Sequence, residues 1–271
     1  MIKLNGDTIK IDHFPDGTLH LDGKEYTIYA SDMWQNVTWH YENDAELFAL
    51  ICLVKHVRRI RPDAKIALTM PYIPHARMDR VKEYNDVFTL KYFAEIINSL
   101  NFSRVYVLDP HSNVSKALIN NVIENNWCEY IEIALEKSVL KCDEDYILFY
   151  PDEGSMKRYS GDINLPYAFG VKRRDWQTGK ILGLDVIGDE KTIRGNNILI
   201  IDDICSRGGT FYHSAKKLKE LGANKIYLYV THCENTVLEG DLLNSDLIEK
   251  VFTTNSIFTK SHEKIEVFEI W

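Results

Sequence analysis

Residues 198–205 contain the pattern that most narrows the folds open to this chain. Ile198-Leu199-Ile200-Ile201 is apolar without alternation, and two adjacent carboxylates, Asp202 and Asp203, follow at once. Four apolar residues with no polar one between them describe a strand covered on both faces, as parallel strands of α/β proteins are. On this reading the strand ends at Ile201 and both aspartates fall at its carboxyl end. Ser206-Arg207-Gly208-Gly209-Thr210 then forms a glycine-bearing turn, and residues 212–221 carry helical apolar spacing closed by Gly222. The glycines let backbone N–H groups approach an anion, the helix N-terminus adds positive potential, and two carboxylates can accept hydrogen bonds from vicinal sugar hydroxyls. The order fits a ribose-phosphate cradle at the place where ligands of open α/β sheets bind. A bare Asp-Asp pair in a polar turn without ligand is the competing reading, and only the full strand-turn-helix order weighs against it.

Composition sets the frame for the remaining motifs. With 271 residues, 45% of them hydrophobic, the chain can bury one large or two medium cores. A formal charge of -8 argues against a general nucleic-acid surface, so any basic residues that matter must be clustered locally. Five cysteines, at positions 52, 128, 142, 205 and 233, make no C-x-x-C pair and no metal spacing, which suits reduced intracellular thiols. The first residues lack the basic-then-apolar plan of a signal peptide, and no apolar run approaches a membrane span of about 18 residues. These features predict a soluble cytoplasmic protein with no membrane partner.

In chain order, residues 2–30 alternate short apolar runs with Asp-Gly turns, one of them Phe14-Pro15-Asp16-Gly17. Residues 44–60 read as a helix with an acid near its start and bases near its end. A buried strand over 64–70 delivers the chain to Pro71-Tyr72-Ile73-Pro74-His75-Ala76-Arg77-Met78-Asp79-Arg80, whose two arginine forks suit phosphate oxygens, though an exposed salt-bridged loop reads equally well. A helix over 89–100 and a strand over 104–108 follow, and the strand ends in Asp109-Pro110-His111, a histidine able to ligate a metal or bond a phosphate. Residues 127–145 read as a helical connection, which divides the chain into domains 1–126 and 127–271. The second opens with a strand over 146–150, then Pro151-Asp152-Glu153-Gly154. A strand over 167–171 ends in Lys172-Arg173-Arg174 and a polar loop, either a solvated surface or a clamp for a transferring phosphoryl group. Strands over 225–230, 250–254 and 263–270 complete a βα series.

Taken together, Phe14-Pro-Asp-Gly17, the 71–80 segment, Asp109-Pro-His111, Pro151-Asp-Glu-Gly154, Lys172-Arg-Arg174, Ile201-Asp-Asp-Ile204, Thr231-His232 and Thr254-Asn-Ser-Ile257 stand in the order and spacing of the ribose-phosphate pyrophosphokinases, and the chain resembles that family from about residue 14 to 257. The resemblance implies two phosphoribosyltransferase-like α/β domains with mainly parallel sheets, related by a pseudo-twofold, the first on the ATP side and the second on the ribose-phosphate side. It implies Mg2+-dependent transfer of the β,γ-diphosphate of ATP to a ribose C1 hydroxyl, with AMP leaving. Phe14 and Asp16 resemble adenine contacts donated across a subunit interface, so a homo-oligomer, dimer or larger, is implied. Arg77, Asp79 and Arg80 resemble ATP contacts, and His111 and Asp152 the magnesium-associated pair. Lys172 and Arg174 resemble the flexible catalytic clamp, and Asp202 and Asp203 the ribose-hydroxyl acceptors, with Ser206, Arg207, Gly208, Gly209 and Thr210 as the phosphate loop.

The departures also carry information. Few residues precede Phe14, the chain stops after a strand-like segment, and Thr18 stands where the family has a glutamate. The family's Asp-Thr-Ala-Gly-Thr loop is Ser206-Arg207-Gly208-Gly209-Thr210 here, which replaces a carboxylate and brings in a guanidinium. Two acceptors therefore stay open, ribose 5-phosphate and a 5'-substituted form such as ADP-ribose, whose product would be ADP-ribose 1-diphosphate for NAD synthesis. A phosphoribosyltransferase and a non-catalytic regulatory relative are the other classes. The first gives no reason for the Arg77/Arg80 segment, and retention of Lys172, Arg174, His111 and Asp152 speaks against the second.

Overall fold

A computed structural model describes residues 1–23, 26–29, 33–139, 146–174, 181–188 and 190–270, and the chain divides into two compact units, Met1–Asn126 and Trp127–Trp271. In the first, β1 (Ile2–Leu4), β2 (Asp7–Thr8), β3 (Asp12–His13) and β4 (Leu19–His20) are the short strands that the Asp-Gly spacing predicts. They precede β5 (Trp34–Trp39), α1 (Ala45–Ile60), β6 (Lys65–Thr69), α2 (Thr89–Ser99), β7 (Arg104–Leu108), α3 (Asn113–Leu118) and β8 (Val122–Asn125). Strands β5, β6, β7 and β8 are parallel neighbours in that order, and β1 and β2 extend the sheet antiparallel beyond β5.

Burial explains why these segments take these forms. Helix α1 buries Ala49, Leu50, Leu53, Val54 and Val57, a helical-spacing stripe, in one core with Ile66, Leu68, Val105 and Val107 of β6 and β7. Glu46 is among the charged groups buried in this unit. The carboxylate of Glu46 accepts from Trp39 Nε1 at 2.9 Å and from the Glu42 backbone N–H at 3.0 Å, which ties the end of β5 to the start of α1. A buried charge is tolerated where its lone pairs are used in this way.

The second unit holds α4 (Cys128–Val139), β9 (Tyr146–Tyr150), α5 (Glu153–Tyr159), β10 (Tyr167–Arg174), β11 (Ile181–Ile187) and α6 (Glu190–Ile193). It continues with β12 (Asn197–Cys205), α7 (Gly209–Glu220), β13 (Ile226–Cys233), a 3-10 turn (Asn235–Glu239), α8 (Asp241–Asn244), β14 (Lys250–Thr254) and β15 (Ile265–Phe268). Its sheet runs β11-β10-β9-β12-β13-β14-β15, parallel except for β11. From β9 the chain steps to β10 on one side, and β12 later pairs with the other side of β9. The β9/β12 boundary is thus a topological switch point, where the loops after two adjacent strands diverge and leave a crevice.

The structure moves three boundaries. Strand β12 runs to Cys205, so Asp202 and Asp203 lie inside it and not beyond its end, because β13 is long enough to keep Ile204 opposite His232 and Cys205 opposite Cys233. Helix α7 starts at Gly209 and not at Tyr212. Strand β10 runs through Lys172, Arg173 and Arg174, which the sequence reading assigns to a strand end and loop, since β11 supplies an antiparallel partner out to Ile181. Strand β11, α3 and β8 have no counterpart in that reading.

Replacing Glu46 with alanine leaves the Trp39 indole N–H, the Glu42 N–H and the Met1 ammonium without their shared acceptor. The expected loss in the unfolding free energy is about 1–3 kcal/mol by denaturant titration, and a loss below about 0.5 kcal/mol would show that water takes over the carboxylate's role.

Candidate functional site

Ile198, Leu199, Ile200 and Ile201 are fully buried, and the two carboxylates follow directly on the same strand, beside the switch point. Asp203 is almost sealed, and Arg158 of α5 reaches it, with Nη1 at 3.2 Å from Oδ2. The Arg158 guanidinium also lies over the Tyr159 ring, 5.6 Å from its centroid. Sequence reasoning missed Arg158, whose only signal was a second cation in the helix that follows Asp152. Asp202 accepts the backbone N–H of Asp203 at 3.0 Å. Burial first, then the negative charges of Asp203 and Asp152, hold the Asp202 carboxyl well above the usual carboxylate range.

Asp152 joins this group from the other side of the switch point. It is the N-cap of α5, its Oδ1 accepting from Gly154 N at 3.0 Å and Ser155 N at 3.1 Å in a reciprocal capping box with Ser155. Asp152 thus has a structural task besides the one its motif suggests. Two further carboxylates that raise the proton affinity of Asp202 make a site that gains from a cation or from hydroxyl donors. Among the described residues no group of three or more His, Cys, Asp or Glu is arranged to hold a metal by itself. Magnesium is commonly held by one or two carboxylates together with substrate phosphates, and Asp152 fits that donor set.

The phosphate loop is shaped by two close approaches. Gly208 has φ 77°, a left-handed conformation in which a Cβ would also stand 2.8 Å from Leu242 Cδ2. A Cβ on Gly240 would fall 1.9 Å from the Arg207 carbonyl oxygen, so the segment before α8 lies directly on the loop. Helix α7 then begins at Gly209, its positive end facing the loop residues. Arg207 is exposed, and its Nη2 pairs with Glu239 Oε2 at 3.2 Å.

In the first unit, neighbouring strands β6 and β7 bring together the 71–80 segment and Asp109-Pro110-His111, stitched by Leu108 N donating to the Pro71 carbonyl at 3.0 Å. Asp79 is buried and takes Arg80 in a two-point grip, Nε to Oδ1 at 2.7 Å and Nη2 to Oδ2 at 3.1 Å. These hydrogen bonds, with another from Ser112 and the charges of Arg80 and His111, hold Asp79 below the usual carboxylate range. Asp79 therefore aims the exposed Arg80 fork and links it to the His111 loop, while Arg77 is exposed beside it. Phe14 and Asp16 sit apart from this cluster, at the tip of the β3–β4 hairpin. Phe14 is half exposed and touches His20, and Asp16 accepts from Thr18 N at 2.9 Å and Oγ1 at 2.7 Å. Thr18 thereby fixes Asp16. Lys172 and Arg174 have their backbone in β10, and their side chains lie outside the described residues.

Fold and site together define a two-unit α/β protein of the phosphoribosylpyrophosphate synthetase fold. The crystal structure of phosphoribosylpyrophosphate synthetase from Mycobacterium smegmatis superposes with a TM-score of 0.76 at 18% identity, covering 97% of this chain and 86% of that one. Residues 178–270 match the family model of the phosphoribosyl synthetase-associated domain. Ribose-phosphate pyrophosphokinases of Mycoplasmopsis pulmonis and Chlorobaculum tepidum are each 26% identical, over 99% and 96% of this chain and 84% and 80% of their own lengths. The chain is similar along nearly its whole length to ribose-phosphate pyrophosphokinases, the family its ordered motifs resemble.

Crowding at Asp202 has a consequence for stability. A carboxyl with a raised folded-state pKa costs nothing while protonated in both states, and stability is lost as pH rises from the unfolded pKa toward the folded one. Asp202→Asn removes that ionisation. It should raise the melting temperature by about 2–4 °C at pH 8, with the gain shrinking to nothing below about pH 3, where the carboxyl is largely neutral in both states. An unchanged or lower melting temperature at pH 8 would mean that the ionised carboxylate makes compensating contacts.

Proposed function

We propose that the protein transfers the β,γ-diphosphate of ATP to the C1 hydroxyl of a ribose phosphate and releases AMP. The observation that carries this reading is the gathering of Asp152, Asp202, Asp203 and the glycine loop at a switch point, in a chain whose other unit aims Arg80 through Asp79. Asp202 and Asp203 accept hydrogen bonds from the ribose hydroxyls, and loop 206–210 and the start of α7 receive the phosphate. Arg77, Asp79 and Arg80 form the ATP-binding segment, and Lys172 and Arg174 neutralise the diphosphate in flight. His111 and Asp152 are the residues proposed to hold magnesium, which when bound offsets phosphate charge. The C1 oxygen forms a bond to the β-phosphorus, the bond between that phosphorus and the α,β-bridging oxygen breaks, AMP leaves with the electron pair, and the hydroxyl proton passes to solvent. Diphosphoryl transfer needs alignment and charge neutralisation more than covalent chemistry, so no nucleophilic side chain is required. Phe14 and Asp16, on an exposed hairpin, complete the adenine pocket of a second copy, which makes the working state at least a dimer.

Ribose 5-phosphate is the simplest acceptor. A second reading, ADP-ribose, is favoured by Arg207, a long cation on the phosphate loop able to meet a second phosphate. Its product would be ADP-ribose 1-diphosphate, an activated donor for NAD synthesis.

AMP should accumulate from ATP only when magnesium and an acceptor are both present. Steady ADP formation would mean transfer of the γ-phosphoryl group alone and would end this proposal. Lys172→Ala should lower kcat by at least about a hundredfold, the scale of losing one preorganised transition-state donor, with little change in ATP affinity. A raised KM at constant kcat would assign Lys172 to substrate binding only.

A further inference from the structure

We propose that Glu239 selects the acceptor: as the counter-ion of Arg207 beside loop 206–210, it disfavours a terminal phosphomonoester and favours a phosphate that continues into another group. This rests on the acceptor site proposed above. The position of Glu239 is set by backbone packing and not by the ion pair. It ends the 3-10 turn Asn235–Glu239, and the next residue, Gly240, sits so near Arg207 that a Cβ would come within 1.9 Å of the Arg207 carbonyl oxygen. Gly208 is pinned likewise, since its Cβ would meet Leu242 at 2.8 Å. The backbone of residue 239 is therefore held next to the phosphate loop, within one side chain's length of it, whether or not Arg207 pairs with Glu239.

The pair itself is easily opened. Its side chains are 73% and 60% exposed, and exposed ion pairs contribute little to stability, so Arg207 can turn to an anion without a large penalty. What stays nearby is the Glu239 carboxylate, tethered to a backbone that is fixed against the loop. A terminal phosphomonoester carries about 1.5 to 2 negative charges near neutral pH, whereas a phosphate esterified on both sides keeps one. At the loop itself, repulsion by Glu239 thus acts on up to about two charges in ribose 5-phosphate and on one in ADP-ribose, whose second charge is the one Arg207 meets. With Arg207 redirected to the second phosphate, the Glu239 carboxylate can also accept hydrogen bonds from the hydroxyls of the distal nucleoside.

The test compares the wild type with Glu239→Gln and Glu239→Asp, with ribose 5-phosphate and ADP-ribose as the probes. Dissociation constants come from calorimetry and kcat/KM from AMP release. Glu239→Gln should shift the preference toward ribose 5-phosphate by about three- to tenfold in Kd and in kcat/KM. Raising salt to about 0.5 M should shrink the shift, as screening of an exposed charge requires, and Glu239→Asp should restore most of the wild-type preference. A ratio that stays within twofold, or a shift that salt leaves intact, overturns the proposal, because loss of folding alone would lower both acceptors together. If the wild type releases AMP with neither acceptor yet binds them, the functional reading fails and the Kd ratio still decides the role of Glu239. Turnover of ribose 5-phosphate alone removes the extended-acceptor reading, and a gain in its kcat/KM on Glu239→Gln then still supports selection by charge. Binding of neither acceptor overturns both.

Discussion

A parallel strand buried on both faces can offer polar chemistry only where its cover ends, and the second unit follows from that constraint. Four consecutive residues of β12 are fully buried, and Asp202 and Asp203 follow within the same strand, toward its carboxyl end, with Asp203 still buried. The divergence of the chain at β9/β12 then keeps the space above that end open. Asp152 enters it from β9 and the glycine loop from β12, so the sheet order brings the anionic and anion-binding parts of the site together.

Holding these acids together is costly, and the surroundings show how the cost is met. Arg158 pairs with Asp203, and Asp152 is tied down by two backbone N–H groups of α5. Asp202 takes the remaining strain as a raised proton affinity. Near the group lies an aromatic bed in which Tyr150 contacts Tyr159 and Tyr167, and Tyr159 packs edge-on against Trp127. Such a bed limits the relaxation open to the acids. A site that keeps repulsive charges in place when empty has more to gain when a cation and sugar hydroxyls arrive.

The first unit solves a different problem with a similar device. Arg80 is exposed, and an unrestrained arginine has many rotamers to lose on binding any ligand. The buried carboxylate of Asp79 grips it at two points and connects it to Ser112 and His111 on the next loop. Adjacent strand ends thus become one preorganised surface. The same logic fixes Asp16 through Thr18.

The sequence by itself determined the buried strands, the order of elements around them and the polar residues that follow each apolar run, because burial on both faces leaves unbroken apolar runs and polar groups gather toward the carboxyl ends. It therefore showed Asp202, Asp203, Asp152 and the Arg77–Arg80 loop as candidates. Only the tertiary structure decided how far β12 and β10 extend, since low strand propensity for Asp and Lys yields when β13 and β11 offer ladder partners. It alone brought Arg158 to Asp203 and Glu239 to Arg207, the second pair 32 residues apart and joined through a glycine contact that no local pattern announces. Local periodicity reports which residues leave water. Which charges meet depends on long-range packing, and that is set by strand order and by the backbone's closest approaches.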